Sequence, residues 1–133
     1  MSNKIFTFGY GNRRDYSQLE RFAQEHGIKY LVDVRQRSYC KWSPLWRGVE
    51  LSRNLDSIGL NYHPESGLGN TSGTAEWIPR NSIEAEAALT RVATLLEAGS
   101  IVLMCAELDH RRCHRTAVAE KISKTTGAIV RHL

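Results

Sequence analysis

The sequence predicts a single three-layer α/β domain with a mostly parallel sheet of about five strands flanked by helices. Three observations predict it. Short β-type runs alternate with amphipathic helical stretches along the chain, and that alternation yields a parallel sheet covered on both faces. The 133 residues suit one domain with a real core. No internal repeat or linker-like stretch divides residues 1–133, so one domain is expected throughout.

Ile5-Phe-Thr-Phe8 reads as the first strand, closed by the turn signal Gly9-Tyr10-Gly11-Asn12. Asp15 is placed to cap a helix whose Tyr16, Leu19, Phe22 and Ala23 share one face, with Gly27 at its end. Tyr30–Arg35 reads as a buried second strand. Gln36–Gly48 is a basic, aromatic loop. A helix over Val49–Ile58 closes at Gly59, and Leu60–His63 is a weaker third strand. Glu65–Arg80 is a long loop rich in Gly, Ser and Thr, a length that favours function over mere connection. Ser82 is expected to cap the next helix, with Ile83, Leu89, Val92 and Leu96 on its apolar stripe and Gly99 at its end. Ile101–Cys105 is the best buried strand. A helix from near Arg112 to Lys124 and a last strand, Ala128–Val130, complete the pattern.

The chain is 41% hydrophobic and 24% charged, which argues against disorder. No apolar run approaches the roughly 20 residues of a membrane span, and the N-terminus lacks a signal-peptide core. A cytoplasmic protein with no membrane partner is therefore expected. Three cysteines, Cys40, Cys105 and Cys113, do not make a disulfide framework, and in a reducing compartment they stay thiols. A net charge of +4 suits an anionic small molecule, a nucleotide or a nucleic acid.

Ligands of such sheets bind beyond the carboxyl ends of the strands. That rule gathers Gly9, Tyr10, Asn12, Asp33, Arg35, His63, Cys105 and Glu107 at one end. The segment Cys105–Arg115 is the densest in chemistry. Cys113 is expected in the first turn of the last helix, flanked by Arg111, Arg112, His114 and Arg115, where a thiol pKa falls. The same amides and guanidiniums suit a phosphate or carboxylate. In this reading Cys105 or Cys113 is a thiolate, Asp33 and Glu107 are acid–base or orienting carboxylates, and His114 tunes the thiol or moves a proton. Gly9, Tyr10, Asn12, Arg35 and Arg115 bind the ligand.

Other readings stay open. Asp33 and Arg35 alternate on one strand and can form an ion pair. Cys105 and Arg111 match a Cys-x5-Arg spacing, but the intervening carboxylates oppose an anion. Cys105, Cys113, His110, His114 and His63 are plausible metal ligands, although no zinc-ribbon spacing is present. The loop bearing Arg35, Arg37, Lys41 and Arg47 among Tyr39, Trp42 and Trp46 has the composition of a single-strand nucleic-acid surface; its tryptophans suit the core equally well. The residues specify no cofactor and no oligomeric state.

Phe6-Thr-Phe-Gly-Tyr-Gly-Asn12, His26-Gly-Ile28, Leu31-Val-Asp-Val-Arg35, Gly59-Leu-Asn-Tyr62, Leu68-Gly69, Leu103-Met-Cys-Ala-Glu107 and Cys113-His-Arg115 follow one another along the chain. As a set they resemble the domain-of-unknown-function 488 family of small prokaryotic proteins. The resemblance implies an α/β fold with its characteristic residues gathered at one end, and supplies no activity. The chain departs from that pattern at Ser38, Cys40, Asn70 and His110, and Arg111 is no part of it.

Overall fold

A computed structural model describes residues 2–133. Five strands, β1 (Ile5–Gly9), β2 (Ile28–Asp33), β3 (Asn61–Pro64), β4 (Ser100–Cys105) and β5 (Val130–His132), form one sheet in the order β3-β2-β4-β1-β5. Every pairing is parallel, so the sheet is wholly rather than mostly parallel. Four helices flank it: α1 (Ser17–His26), α2 (Gly48–Asn54), α3 (Ser82–Ala98) and α4 (Arg115–Thr126).

The two faces have separate cores. Phe6, Phe8, Leu31, Val102 and Met104 of the sheet pack with Leu19 and Ala23 of α1 and Leu51 of α2. Ile5, Val32, Ile101 and Leu103 pack with Ala88, Val92 and Leu96 of α3 and Val118, Ala119 and Ile122 of α4. Adjacent strand residues thus feed opposite cores, as period-two side-chain alternation requires. The chain leaves β1 through α1 on one face and leaves the neighbouring β4 through α4 on the other. Their connections therefore diverge at the carboxyl ends of β1 and β4, which is where open α/β sheets take ligands.

Several boundaries differ from the sequence expectation. Asn81, not Ser82, caps α3: its Oδ1 accepts from the Ile83 and Glu84 N–H groups at 2.9 and 3.0 Å. Both residues are good caps, and only the backbone decides between them. Ile83 lies 81% exposed because the buried stripe runs through Ala85, Ala88, Val92 and Leu96 instead. Tyr16 is the residue before α1, and Asp15 holds the Ser17 N–H at 3.0 Å from one position further out. The expected helix over Val49–Ile58 divides into α2 and a 3-10 turn, Leu55–Ile58. β2 ends at Asp33, leaving Arg35 beyond it; β3 runs one residue later than expected, and β5 begins at Val130, not Ala128.

Ring stacking ties β5 to the turn before α4. His110 and His132 lie parallel with centroids 3.6 Å apart, and His132 Nδ1 is 2.6 Å from the Thr7 hydroxyl. Partial burial, then the charges of His110 and Arg115, hold the His132 pKa below its ordinary value against the opposing pull of Glu120. A folded-state pKa below the unfolded one means that the unfolded chain takes up the proton first as pH falls. Stability from this contact is full above the ordinary histidine pKa of about 6.5 and declines below it. His132→Phe should flatten that part of a stability-versus-pH curve measured by urea unfolding. An unchanged slope would show that the stacked pair carries none of it.

Candidate functional site

At the switch point the chains beyond β1 and β4 run side by side. The Tyr10 N–H donates to the Cys105 carbonyl at 3.0 Å and the Gly11 N–H to the Ala106 carbonyl at 2.7 Å. A Cβ on Gly9 would stand 2.0 Å from the Glu107 carbonyl oxygen, and one on Gly11, at φ +47°, 2.2 Å from Leu108 Cγ. These glycines permit close approach of the two segments. Gly9 therefore acts through the backbone. Because its neighbours are backbone atoms, Gly9→Ala should cost at least about 1–3 kcal/mol. Gly27→Ala, in open space at φ +63°, should carry only the left-handed backbone strain of about 1–2 kcal/mol. Equal losses in paired denaturation curves would contradict the packing account.

After β4 the chain passes through Ala106–Asp109 into a 3-10 turn, His110–Arg112, capped by Asp109, which accepts from the Arg111 N–H at 3.0 Å. Arg111 pairs with Asp109 on the surface, so the guanidinium of the Cys-x5-Arg spacing is engaged locally. Cys113 follows in extended conformation, and α4 starts only at Arg115. The helix thus begins three residues later than expected, and Cys113 precedes its first turn.

Cys113 and His114 fold back beneath β4. The ligating atoms of Cys105, Cys113 and His114 all lie within 4.8 Å of one another. His114 Nε2 is 2.9 Å from the Val34 carbonyl and 3.0 Å from the Leu68 carbonyl. Two carbonyls can only accept, so Nε2 carries its hydrogen and donates to them. Nδ1 is then the variable nitrogen, and it lies 3.9 Å from Cys113 Sγ. Cys113 is held well below the ordinary thiol pKa, first by hydrogen bonding with Cys105, and further by His114, the Arg115 N–H at the start of α4 and the Arg115 charge, against the opposing effect of burial. Cys105 is pushed up by the same hydrogen bond, by burial and by the negative charge of Cys113. The two shifts run in opposite directions, so Cys113 gives up its proton before Cys105 does.

Arg115 is fully buried. Its Nη1 donates to the Glu107 carbonyl and its Nη2 to the Leu108 carbonyl at 3.2 Å. It braces the loop after β4 and adds positive charge beneath the thiols. Its Nε has no partner among the described residues. Glu107 is half-buried, and its Oε1 accepts from the Asp109 N–H at 3.3 Å.

Asp33 and Arg35 occupy the other face. Asp33 alternates with Val32 and Val34, which belong to the α3/α4 core, whereas Cys105 packs against that core. The Asp33–Arg35 and Cys105–Arg115 segments do touch, through His114 and the Val34 carbonyl, but their side chains divide between the two faces. Asp33 Oδ1 accepts from Arg35 Nε at 2.8 Å and Oδ2 from Arg35 Nη2 at 2.7 Å. Tyr62 donates to the same Oδ2 at 2.8 Å. Burial would lower the Arg35 pKa, but Asp33 outweighs it and raises it. Burial, then the Asp33 charge, pushes the Tyr62 hydroxyl up to about 12.

Arg35 Nη1 has no partner among the described residues. Its guanidinium lies 5.4 Å from the Tyr10 ring centroid, and burial, then Cys40, pushes the Tyr10 hydroxyl up to about 12. Tyr10, Asn12, Cys40, Trp42, Glu107 and Leu108 line a cleft of about 480 Å³. Burial raises the Cys40 pKa, but the Tyr10 hydroxyl and the Ser43 and Trp42 amides outweigh it and lower it overall. Trp42 is 83% exposed, while Trp46 is fully buried and stacks on Tyr10. One tryptophan of the basic loop is therefore core.

Tyr62, rather than the expected His63, is the β3 residue that reaches Asp33. His63 packs edge-on against Tyr30, away from the thiols, and His110 is engaged with His132. The Gly59–Tyr62 stretch carries that signal, since its last residue reaches Asp33. The long loop is ordered by Asn70, whose Oδ1 accepts from Ile78 at 2.8 Å and whose Nδ2 donates to Thr74 at 2.8 Å. The Leu68 carbonyl that receives His114 belongs to the 3-10 turn Ser66–Leu68 at the start of this loop. No helix of the described residues is long and apolar enough to cross a membrane.

The sequence profile of the family described as "Domain of unknown function DUF488" matches residues 16–122. Neither a curated protein nor a solved structure matches the chain.

Proposed function

This chain belongs to the DUF488 family, and we propose that it is a small enzyme or binding protein that works through a thiolate, Cys113, at the carboxyl end of its sheet. The convergence of Cys105, Cys113 and His114 within 4.8 Å at the start of α4 carries this reading. A helix N-terminus favours negative charge, and here the chain supplies its own anion. With His114 Nε2 committed to two carbonyls, its Nδ1 is left facing the Cys113 sulfur at 3.9 Å. Cys105 donates the hydrogen bond that most favours the thiolate. Arg115 supplies the buried positive charge that balances the thiolate. A reducing, cytoplasmic setting would keep both thiols available.

Residue-resolved alkylation of the native protein against pH tests the thiolate. Cys113 should react at a rate set by its burial but flat through the neutral range, whereas Cys105 should react only at alkaline pH. A Cys113 that titrates like a free thiol, or stays silent until the protein unfolds, removes the basis of the reading.

A second reading has one observation of its own. Exposed Trp42 and Tyr39 carry the cations of Lys41 and Arg47 against their rings, and Trp42 lines the cleft with Tyr10, whose ring lies beside Arg35. This arrangement suits a nucleotide or single-stranded nucleic acid, with bases stacked on the rings and phosphate approaching Arg35. A salt titration with a mixed oligonucleotide should show binding that weakens as salt rises and disappears in Trp42→Ala. Binding that survives Trp42→Ala would place any such partner elsewhere.

A further inference from the structure

We infer that Cys105 Sγ, Cys113 Sγ and His114 Nδ1 form a three-ligand site for zinc or a similar soft divalent ion. The inference rests on the reading of this cluster as the working centre and names what the centre takes.

Tetrahedral zinc with bonds of about 2.3 Å to sulfur and about 2.0–2.1 Å to nitrogen sets its ligands roughly 3.6–3.8 Å apart. Cys113 Sγ and His114 Nδ1 already stand 3.9 Å apart, and all three ligating atoms fall within 4.8 Å. Small side-chain rotations close that difference.

The surroundings suit a metal more specifically than the distances do. A metal-bound histidine usually donates its other ring N–H to a carbonyl or carboxylate, which fixes the tautomer and aims the lone pair. His114 does this twice, to Val34 and Leu68. Both acceptors are backbone atoms, one just past β2 and one in the ordered loop, so the ring is fixed before any ion arrives. The other candidate histidines lack this arrangement, since His110 stacks on His132 and His63 packs on Tyr30.

Burial separates this cluster from adventitious surface groups. Cys113 and His114 are 4% and 6% exposed, and Cys105 is the more open member. Two thiolates neutralise a divalent ion, which suits a pocket that already contains the Arg115 charge. Three protein ligands leave one tetrahedral position for water or another small ligand, the pattern of catalytic rather than structural zinc.

Cobalt(II) titration of the metal-free, reduced protein is the test. One Co²⁺ per chain should bind with a thiolate-to-cobalt charge-transfer band and the visible spectrum of tetrahedral cobalt. Cys105→Ser and Cys113→Ser should each lose that spectrum, and His110→Ala should keep it. Should a serine variant fail to fold, zinc protection of the unmodified chain gives the answer. Zn²⁺ should shield Cys105 and Cys113 from alkylation and leave Cys40 as reactive as before. Absence of Co²⁺ uptake, a spectrum that survives Cys113→Ser, or protection that extends equally to Cys40 would overturn the assignment. If the metal-free protein shows the flat Cys113 alkylation profile and takes up no Co²⁺, the metal site alone falls. If Cys113 also behaves as an ordinary thiol, the thiolate reading falls with it.

Discussion

Asp33→Ala lowers stability by about 3–5 kcal/mol and the melting temperature by roughly 10–15 °C, although it removes no apolar contact. The carboxylate is fully buried and carries Arg35, itself 7% exposed, in a two-pronged pair. Without it a buried guanidinium that already has one unpartnered nitrogen loses both its remaining side-chain acceptors. The Tyr62 hydroxyl loses its closer partner as well and keeps only the longer contact to Ser38 Oγ at 3.3 Å. An exposed ion pair would cost about 1 kcal/mol or less, as expected for Glu84 of α3 with Arg80 just before the helix. Urea denaturation of Asp33→Ala and Glu84→Ala distinguishes the two cases. A loss below about 1 kcal/mol at Asp33 would mean that water reaches Arg35, and the buried pair would need another description.

Trp46→Ala is the second large effect, at about 3–5 kcal/mol. The ring is completely buried. It stacks on Tyr10 at 5.3 Å, meets Tyr16 edge-on at 5.1 Å and donates to the Arg13 carbonyl at 2.9 Å. Trp42, four residues earlier in the same loop, should change stability by less than about 0.5 kcal/mol when truncated. Thermal melts of the two variants make the comparison. Similar losses would show that the loop packs differently, with Trp42 also covering the core.

That contrast marks how far the sequence could be read. The alternation of strands and helices, and the carboxyl-end rule, place Tyr10, Asp33, Arg35, Cys105 and Glu107 toward the carboxyl ends of β1, β2 and β4, where those strands do end. They do not place them on the same face. Asp33 and Cys105 both end buried strands, but the pairing of Asp33 with Met104 sets Cys105 one residue out of phase. Register is a tertiary property, and no local pattern reveals it. Composition likewise makes Trp42 and Trp46 look equivalent, and only the path of the loop separates them.

The segment before α4 shows a different limit. Asp-His-Arg-Arg-Cys-His-Arg has no apolar period to mark a helix start, and its polar residues fit the first turn of a helix. The Asp109 cap instead starts a 3-10 turn, which leaves Cys113 extended with its sulfur turned toward Cys105. The sequence marks His114 as a tuning group, but its orientation depends on carbonyls from residues 34 and 68, far away in the chain. Those long-range acceptors turn a basic, cysteine-containing stretch into an organised centre.

The most direct test of that centre is a pH titration of thiolate ultraviolet absorbance in the folded protein and in Cys113→Ser. The intact chain should already show one thiolate's absorbance at mildly acidic pH, well below the ordinary thiol pKa of about 8.5. Cys113→Ser should lose that step, and Cys105→Ser should retain it in weakened form. If all three thiols of the intact protein ionise together near their ordinary range, Cys113 is a packed core residue and the centre described here does not exist.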